Sequence, residues 1–160
     1  MEQKIETPKY LTEDTCRLAI ECVLTMLMDK GEFERRNLLS RHRMCHVGVI
    51  VPTKEGRPHI FYEYSLGKEE WPHQFDEIGR SKGIQIFEDR NDGGTNCVPH
   101  LLFRGDTPYW GAVKRAGIVV FCSGVQAYFD RMISGMIADM IIALTYHAFV
   151  NSGEEGDLVT

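Results

Sequence analysis

The sequence predicts an α+β domain in which helices flank a twisted antiparallel sheet. Helical segments open and close the chain and a third lies in its middle, while the β-rich runs between them come in pairs joined by short turns. Strands joined in this way pair antiparallel, and helices then cover one or both faces of the sheet. The 160 residues are expected to form a single domain, 1–160, with 1–10 as a loose N-terminal arm and 151–160 as an acidic tail.

The composition is that of a globular protein, with 43% hydrophobic and 26% charged residues. A net charge of −5 argues against general affinity for nucleic acid, because phosphate binding needs concentrated lysine and arginine. The five cysteines lack C-x-x-C spacing, and the N-terminus lacks the apolar run of a secretory signal. Cys16 and Cys22 are expected to be buried on a helix. We therefore expect a cytoplasmic protein that binds neither nucleic acid nor membranes.

A helix and a hairpin are predicted in the first half of the chain. Thr12 is the predicted N-cap of the helix, because acidic residues follow it in the first turn, and Gly31 is predicted to end it. The runs 46–51 and 58–64 are β-rich and flank a Thr-Lys-Glu-Gly turn. These two runs are therefore expected to pair as a β-hairpin.

A second helix is predicted from about Pro72, although two glycines weaken its pattern. Its apolar face would consist of Phe75, Ile78, Ile84 and Phe87. A solvated face is expected for its charged residues, which are Asp76, Glu77, Arg80 and Lys82. Two or three short strands follow, and the last of them is predicted to end in a turn at Ser123-Gly124.

The final helix is predicted from about Gln126 to about Phe149 and is apolar on nearly all sides. A sheet can cover only one side of such a helix, so we expect a second copy of the chain to cover the rest. Burial inside a monomer is the alternative. The segment 131–150 approaches the length of a membrane span, but charged residues interrupt it. The sequence therefore predicts a homo-oligomer.

Candidate ligating residues cluster in the segment Arg-His-Arg-Met-Cys-His, which holds His42, Cys45 and His46. The spacing of the two histidines suits a metal if the segment is helical, and Cys45 could be a third ligand. Because His46 is expected to open a strand, no metal site is assigned. The other roles open to these histidines are ligation of a haem or another tetrapyrrole and an ordinary place in a loop.

The strand-to-helix turn is the second candidate site. Ser123 or Cys122 could be a nucleophile, but the G-x-S-x-G pattern of a nucleophile elbow is missing. Gly124 permits a tight turn, and the free N–H groups of the following helix could be satisfied by Ser123 or Gln126 or could hold a carboxylate or phosphate. Tyr109 and Trp110 are large amphipathic aromatics that could contact a ligand, with core packing as the alternative.

Three pieces of the chain, HVGVIVPTKEGRPHIFYEY, FDEIGRSKGIQIFEDR and AGIVVFCSGVQAYFD, resemble the GlcG-like or haem-binding-protein-S-like (DUF336) domain family. In the last piece, Ser123-Gly124 and Asp130 fall where that family has its SG and D. The resemblance covers most of residues 12–150. It implies a profilin-like fold, assembly into oligomers and, in some members, binding of haem or cobalamin.

The sequence leads us to expect an oligomeric domain that binds a small molecule, with haem or another tetrapyrrole as the ligand that the resemblance suggests. The cofactor-binding residues would be His42, His46, Tyr109, Trp110, Ser123 and Gly124. No catalytic residue is assigned. Two alternatives stay open, which are an enzyme that uses a metal, serine or cysteine, and an assembly scaffold without a ligand.

Overall fold

The computed structural model describes residues 5–29, 31–39, 43–91 and 99–154. The helices are α1 (Glu13–Met28), α2 (Glu32–Arg35), α3 (Phe75–Phe87) and α4 (Ala127–Ser152), and the strands are β1 (Cys45–Pro52), β2 (Pro58–Leu66), β3 (Val113–Arg115) and β4 (Ile118–Ser123). The described strands form an antiparallel sheet in the order β2-β1-β4-β3. Helices α1 and α4 pack on one face of the sheet and α3 on the other. The predicted α+β class is confirmed.

Helix α1 begins where the sequence predicts and ends slightly earlier. The Thr12 side chain accepts a hydrogen bond from the Thr15 backbone N–H at 3.1 Å, which confirms Thr12 as the N-cap. The helix ends at Met28 with Asp29 as its C-cap, and Gly31 instead precedes α2 as the N-cap of that short helix. The prediction that Gly31 ends the helix is therefore wrong, because the C-cap lies two residues earlier, at Asp29. The helix itself is confirmed.

The two cysteines of α1 lie on opposite sides of the helix. Cys16 is buried as expected, but Cys22 is exposed, so the prediction for Cys22 is wrong. Cys22 stands between Leu18 and Met26 at four-residue intervals, which places all three on one side of a helix. Leu18 and Met26 are exposed as well, and this row therefore faces outward.

The predicted hairpin forms from β1 and β2, and its strands divide the core into two parts. Successive side chains of a strand point to opposite faces of a sheet. The cluster on the α1 and α4 side takes its strand residues from Cys45, Val47, Val49, Val51, Val113, Ile118, Val120 and Cys122. The cluster on the α3 side consists of Ile50, Ile86, Ala112, Val119 and Phe121.

Helix α3 lies very close to the sheet because it presents glycines to it. A Cβ at Gly79 would lie 2.8 Å from the Phe121 ring, and a Cβ at Gly83 would lie 2.6 Å from that ring and 2.7 Å from Ile50. The fully buried Phe121 ring therefore fills the space that side chains at both positions would need. The buried residues of α3 are Phe75, Gly79, Lys82, Gly83, Gln85 and Ile86. Of the expected apolar face, Phe75 is buried, Ile84 and Phe87 are partly buried against the core, and the glycines form the closest contact with the sheet.

The two ends of the chain meet at the C-terminal end of α4. The helix continues to Ser152, so residues 151–152 belong to it and not to the tail. The Lys9 ammonium lies 2.6 Å from a carboxylate oxygen of Glu154, and the ring centroids of Tyr10 and Phe149 are 5.7 Å apart. Lys9 and Tyr10 are therefore in contact with the end of α4 and with Glu154 just beyond it, and residues 1–4 of the expected arm lie outside the described residues.

Helix α4 is buried on one side only. Its buried residues are Asp130, Ile133, Ser134, Gly135, Ile137, Ala138 and Ile141. Partly buried residues flank this side and pack against the core, and they are Phe129, Met132, Met136, Met140 and Leu144. Tyr128 and Tyr146 are 58% and 61% exposed, so part of the helix surface is uncovered in one chain. By length and composition α4 could cross a membrane, a test that core helices of soluble proteins also pass, and 33% of its most apolar window is buried.

Gly83→Ala is expected to destabilise the protein, although alanine favours helices over glycine by roughly 0.5–1 kcal/mol. The new Cβ would overlap Phe121 and Ile50, so we expect the free energy of unfolding to fall by about 1–3 kcal/mol. Urea unfolding followed by circular dichroism measures this change. Gly135→Ala is the control, because a Cβ there would lie 3.0 Å from the end of the Arg115 side chain, which can move aside. Equal effects of the two substitutions would contradict close packing of α3.

Candidate functional site

A pocket of about 530 Å³ lies between α3, the end of β4 and the start of α4. Its lining is mostly apolar and consists of His73, Phe75, Ile78, Lys82, Tyr109, Ser123, Gly124, Val125, Gln126, Ala127 and Asp130. Pockets for small organic ligands have volumes in this range and combine apolar walls with a few fixed polar groups. We call it the α3–α4 pocket.

The polar groups of the α3–α4 pocket include a buried ion pair between two helices. The Lys82 ammonium on α3 lies 3.0 Å from a carboxylate oxygen of Asp130 on α4, and the two side chains are 3% and 4% exposed. Lys82 also donates to the backbone carbonyl of Cys122 at 3.1 Å. The other carboxylate oxygen of Asp130 accepts the backbone N–H of Val125 at 3.1 Å. The pair therefore joins α3, the end of β4 and the first turn of α4.

Sequence reasoning missed Lys82 because charged residues on α3 were expected to be solvated. Lys82 is buried because it lies on the face of α3 that is directed toward the sheet. The buried residues Phe75, Gly79, Lys82 and Ile86 follow one another at intervals of three or four, which places them on one side of the helix. That spacing was a signal in the sequence. The solvated-face prediction also fails in part for Arg80, which donates to both carboxylate oxygens of Glu63 on β2 at 2.6 and 2.9 Å.

Two glycines with positive φ shape the surroundings of the pocket, and one of them, Gly111, lies directly beside the ion pair. Gly124 has φ +125, and a Cβ there would lie 3.0 Å from the Cys45 backbone, so the chain can leave β4 and turn into α4 only with glycine. Gly111 has φ +139, and a Cβ there would lie 2.7 Å from Asp130 and 3.3 Å from the Lys82 ammonium. The carbonyl of Gly111 accepts the Ser134 hydroxyl at 2.7 Å, which holds this loop against α4.

The start of α4 opens into the α3–α4 pocket with free hydrogen-bond donors. Gln126 is the N-cap residue but its side chain makes no capping hydrogen bond. Within the described parts of the chain, no acceptor faces the backbone N–H groups of Ala127 and Tyr128. Ser123 is 2% exposed, and its hydroxyl likewise has no hydrogen-bond partner among the described residues. The expectation that Ser123 or Gln126 caps α4 is therefore wrong.

Two buried groups beside β4, the Asp130 carboxyl and the Cys122 thiol, have raised pKa values. Burial raises the pKa of the Asp130 carboxyl, although the Lys82 ammonium and the Val125 N–H act in the opposite direction. The pKa of the Cys122 thiol is raised well above its usual value, first by a hydrogen bond with Cys45 and then by burial. A thiol in this state is a poor nucleophile, because the thiolate is the reactive form.

His46, a predicted cofactor-binding residue, lies outside the lining of the α3–α4 pocket. It is 3% exposed, and its Nδ1 is 2.8 Å from the Ser65 hydroxyl. Its Nε2 lies 3.5 Å from a Glu63 oxygen and makes no hydrogen bond. Trp71 and Phe121 pack against the ring. Burial lowers the pKa of His46, with Glu63 opposing, so the imidazole is neutral near physiological pH.

The other predicted site residues are only partly brought together. Tyr109, Ser123 and Gly124 line the α3–α4 pocket, with Tyr109 59% exposed at its rim, whereas Trp110 does not line it. His42 lies outside the described residues. Besides Lys82, the pocket residues that the prediction omitted include His73, Phe75 and Ile78 on or before α3.

The residues considered for a metal do not share a site. Cys45 and His46 are neighbours on β1, so their side chains point to opposite faces of the sheet. Cys45 belongs to the core under α1 and α4, and His46 packs against Phe121 on the α3 side. No group of three or more histidine, cysteine or acidic side chains in the described parts of the chain could hold a metal ion.

Comparison with models of protein families, with curated proteins and with solved structures finds no match for this chain. The site therefore has to be interpreted from its own residues. What the geometry defines is a pocket with apolar walls, a neutralised ion pair at its base and several donors without protein acceptors.

Removing one member of the ion pair is expected to destabilise the protein strongly. Lys82→Met would leave the Asp130 carboxylate buried without its cation, which typically costs about 3–5 kcal/mol. In the double variant Lys82→Met/Asp130→Asn no charge is buried, and the amide oxygen can still accept the Val125 N–H. We therefore expect the double variant to recover most of the loss in urea unfolding. A double variant less stable than Lys82→Met would refute this assignment.

Proposed function

We propose that this protein binds a small organic molecule in the α3–α4 pocket. The observation that carries the proposal is the presence of free donors, at Ser123 and at Ala127, on the wall of a mostly apolar pocket of about 530 Å³. Donors on a pocket wall that have no protein acceptor are available to pair with a ligand or with water. A ligand with an apolar body and a polar group would satisfy both the walls and the donors.

Binding without catalysis is favoured because the candidate nucleophiles lack activation. A serine nucleophile needs a base within hydrogen-bonding reach. In the described part of the chain the Ser123 hydroxyl contacts no base, and both Lys82 and His46 are engaged with other groups. Cys122 is fully buried, with the raised thiol pKa described above. These features support a binding domain over an enzyme.

For a tetrapyrrole ligand, the structure limits which histidine could lie beside it. His46 does not fit as an axial ligand, because it is buried and its free nitrogen faces Glu63 within the packed core. Among the described histidines, His73 lines the α3–α4 pocket. A haem or cobalamin in this pocket would therefore have His73 as its histidine neighbour.

We also propose that the protein self-associates through the outer face of α4, which we define as the exposed residues Tyr128, Ala143, Tyr146 and Val150 and the partly buried Met132 and Met136 beside them. Together with Asp139 these residues recur at intervals of three and four, as in helices that pack against another helix. The one carboxylate in this row, Asp139, is paired with Arg115 at 2.8 Å. A second copy of the chain would cover this face, and the ion pairs of Asp130 and Asp139 with the rest of the fold support α4 as part of a soluble domain.

A solvatochromic dye is expected to report the α3–α4 pocket. The neutral dye N-phenylnaphthylamine should become fluorescent on binding the wild-type protein, because the pocket walls are apolar. Ile78→Trp fills the pocket and should weaken this binding at least about tenfold, which is the effect of losing roughly 1.4 kcal/mol. The control is Ile84→Trp, the same change on the same helix outside the pocket. Equal binding by both variants would refute the proposed function.

Tyr146→Glu is expected to reduce self-association, because it places a charge on the outer face of α4 without disturbing the core. Light scattering after size-exclusion chromatography should give a mass above the 18.3 kDa of one chain for the wild type and 18.3 kDa for the variant. Arg131→Glu, an exposed position on α4 away from this face, should keep the wild-type mass. A wild-type mass of 18.3 kDa would refute the proposed assembly.

A further inference from the structure

We infer that the α3–α4 pocket takes its ligand by an acid group, a carboxylate or a similar oxyanion, which is seated at the start of α4 against the Ser123 hydroxyl. This inference rests on the proposed function and names the class of ligand, which is an organic acid with an apolar body. It follows from a hydroxyl group, a helix terminus and an ion pair that meet in one place.

The Ser123 hydroxyl is the first observation. Only 2% of the Ser123 surface is exposed, and the residue lines the pocket. Its hydroxyl makes no hydrogen bond with the described residues, and it is not among their fully enclosed polar atoms that lack a partner, which are His46 Nε2 and Asn91 Oδ1. The hydroxyl is therefore accessible from the cavity, and its donor is free for a group inside the pocket.

The start of α4 is the second observation and is independent of the first. Helix α4 has 26 residues and is long enough for a full dipole, and its N-cap residue Gln126 supplies no capping side chain. The backbone N–H groups of Ala127 and Tyr128 find no acceptor in the described parts of the chain. Free N–H groups at a helix N-terminus bind oxyanions, and residues 123–127 all line the pocket.

The charges at the base of the pocket do not exclude an anion. The ionisable side chains that line the pocket are His73 and Tyr109 toward its outer part and, at its base, Lys82 and Asp130, which neutralise each other at 3.0 Å. Lys82 has three N–H donors, and the carboxylate of Asp130 and the carbonyl of Cys122 use two of them. The first turn of α4 carries no other acid, and Asp130 itself is held by Lys82 and the Val125 N–H. An acid group in the pocket would therefore meet donors and the third N–H of Lys82.

The walls of the pocket require that the rest of the ligand is apolar. Phe75, Ile78 and Ala127 line the sides, and Tyr109 stands at the rim with 59% of its surface exposed. Small inorganic anions would leave these walls in contact with water. An aromatic or aliphatic acid would cover them and place its charge on the donors at the base.

The test compares two dyes that differ only by an acid group. Anilinonaphthalenesulfonate is the anionic counterpart of the neutral N-phenylnaphthylamine, so the ratio of their affinities isolates the contribution of the anion. For each dye we count only the binding that Ile78→Trp removes, because the exposed face of α4 could also bind dye. The wild type is expected to bind the anionic dye about tenfold more tightly than the neutral one, since hydrogen bonds to a charged group are worth this much or more.

Ser123→Ala is expected to abolish most of this preference, and the readout is the ratio of the two affinities, which does not change if a variant weakens both dyes equally. Ser134→Ala is the control, because it removes another buried hydroxyl from this region, one that is bonded to the Gly111 carbonyl. Circular dichroism checks that both variants are folded. The ratio in Ser134→Ala should equal that of the wild type.

The outcomes separate the two proposals. If Ile78→Trp removes no binding of either dye, the proposed function fails and the inference fails with it. If the neutral dye binds the pocket but the anionic dye binds no more tightly, or if Ser123→Ala leaves the ratio unchanged, the inference is overturned while the proposed function stands.

Discussion

The buried ion pair of Lys82 and Asp130 is the interaction on which the site depends. Two charges removed from water are stable only if they are close and their remaining donors and acceptors are bonded. Here the two groups lie 3.0 Å apart, and the Cys122 carbonyl and the Val125 N–H complete their shells. The pair therefore fixes the start of α4 relative to α3 and to the end of β4. Everything that lines the α3–α4 pocket follows from that relation.

Packing between α3 and the sheet determines where the pocket can exist. Gly79 and Gly83 let α3 approach until only the Phe121 ring separates it from β1 and β4. The next residue of β4 on this face of the sheet is Ser123, whose side chain is much smaller than the Phe121 ring. The space between α3 and the sheet is therefore unfilled at Ser123, and this space extends to the start of α4. The cavity is thus a consequence of a large and a small residue in alternate positions of one strand.

The two proposed activities use different parts of α4. Its first turn contributes donors to the pocket, and its outer face carries the apolar row that we assign to self-association. Tyr128 begins this row and donates a hydrogen bond to the side chain of Gln126 at 2.6 Å. The pocket and the proposed interface are therefore adjacent at the start of the helix. A helix that is apolar on its outer face as well as its inner face would be covered on both faces if the proposed contact with another chain forms in addition to the contact with the sheet.

Local patterns in the sequence determined the elements, because capping, alternation and turn chemistry act between residues that are near in the chain. Thr12 as an N-cap, the hairpin of β1 and β2, and the strand that ends at Ser123 were all predicted in this way. The site was predicted only for Tyr109, Ser123 and Gly124. Lys82 and Asp130 are 48 residues apart, and nothing local indicates that a lysine on α3 finds a carboxylate on α4. Nor does the chain near His46 reveal that its ring is enclosed by Trp71 and Phe121. Only the tertiary structure decided these pairings, since burial of a charge or an imidazole depends on which distant side chains close over it.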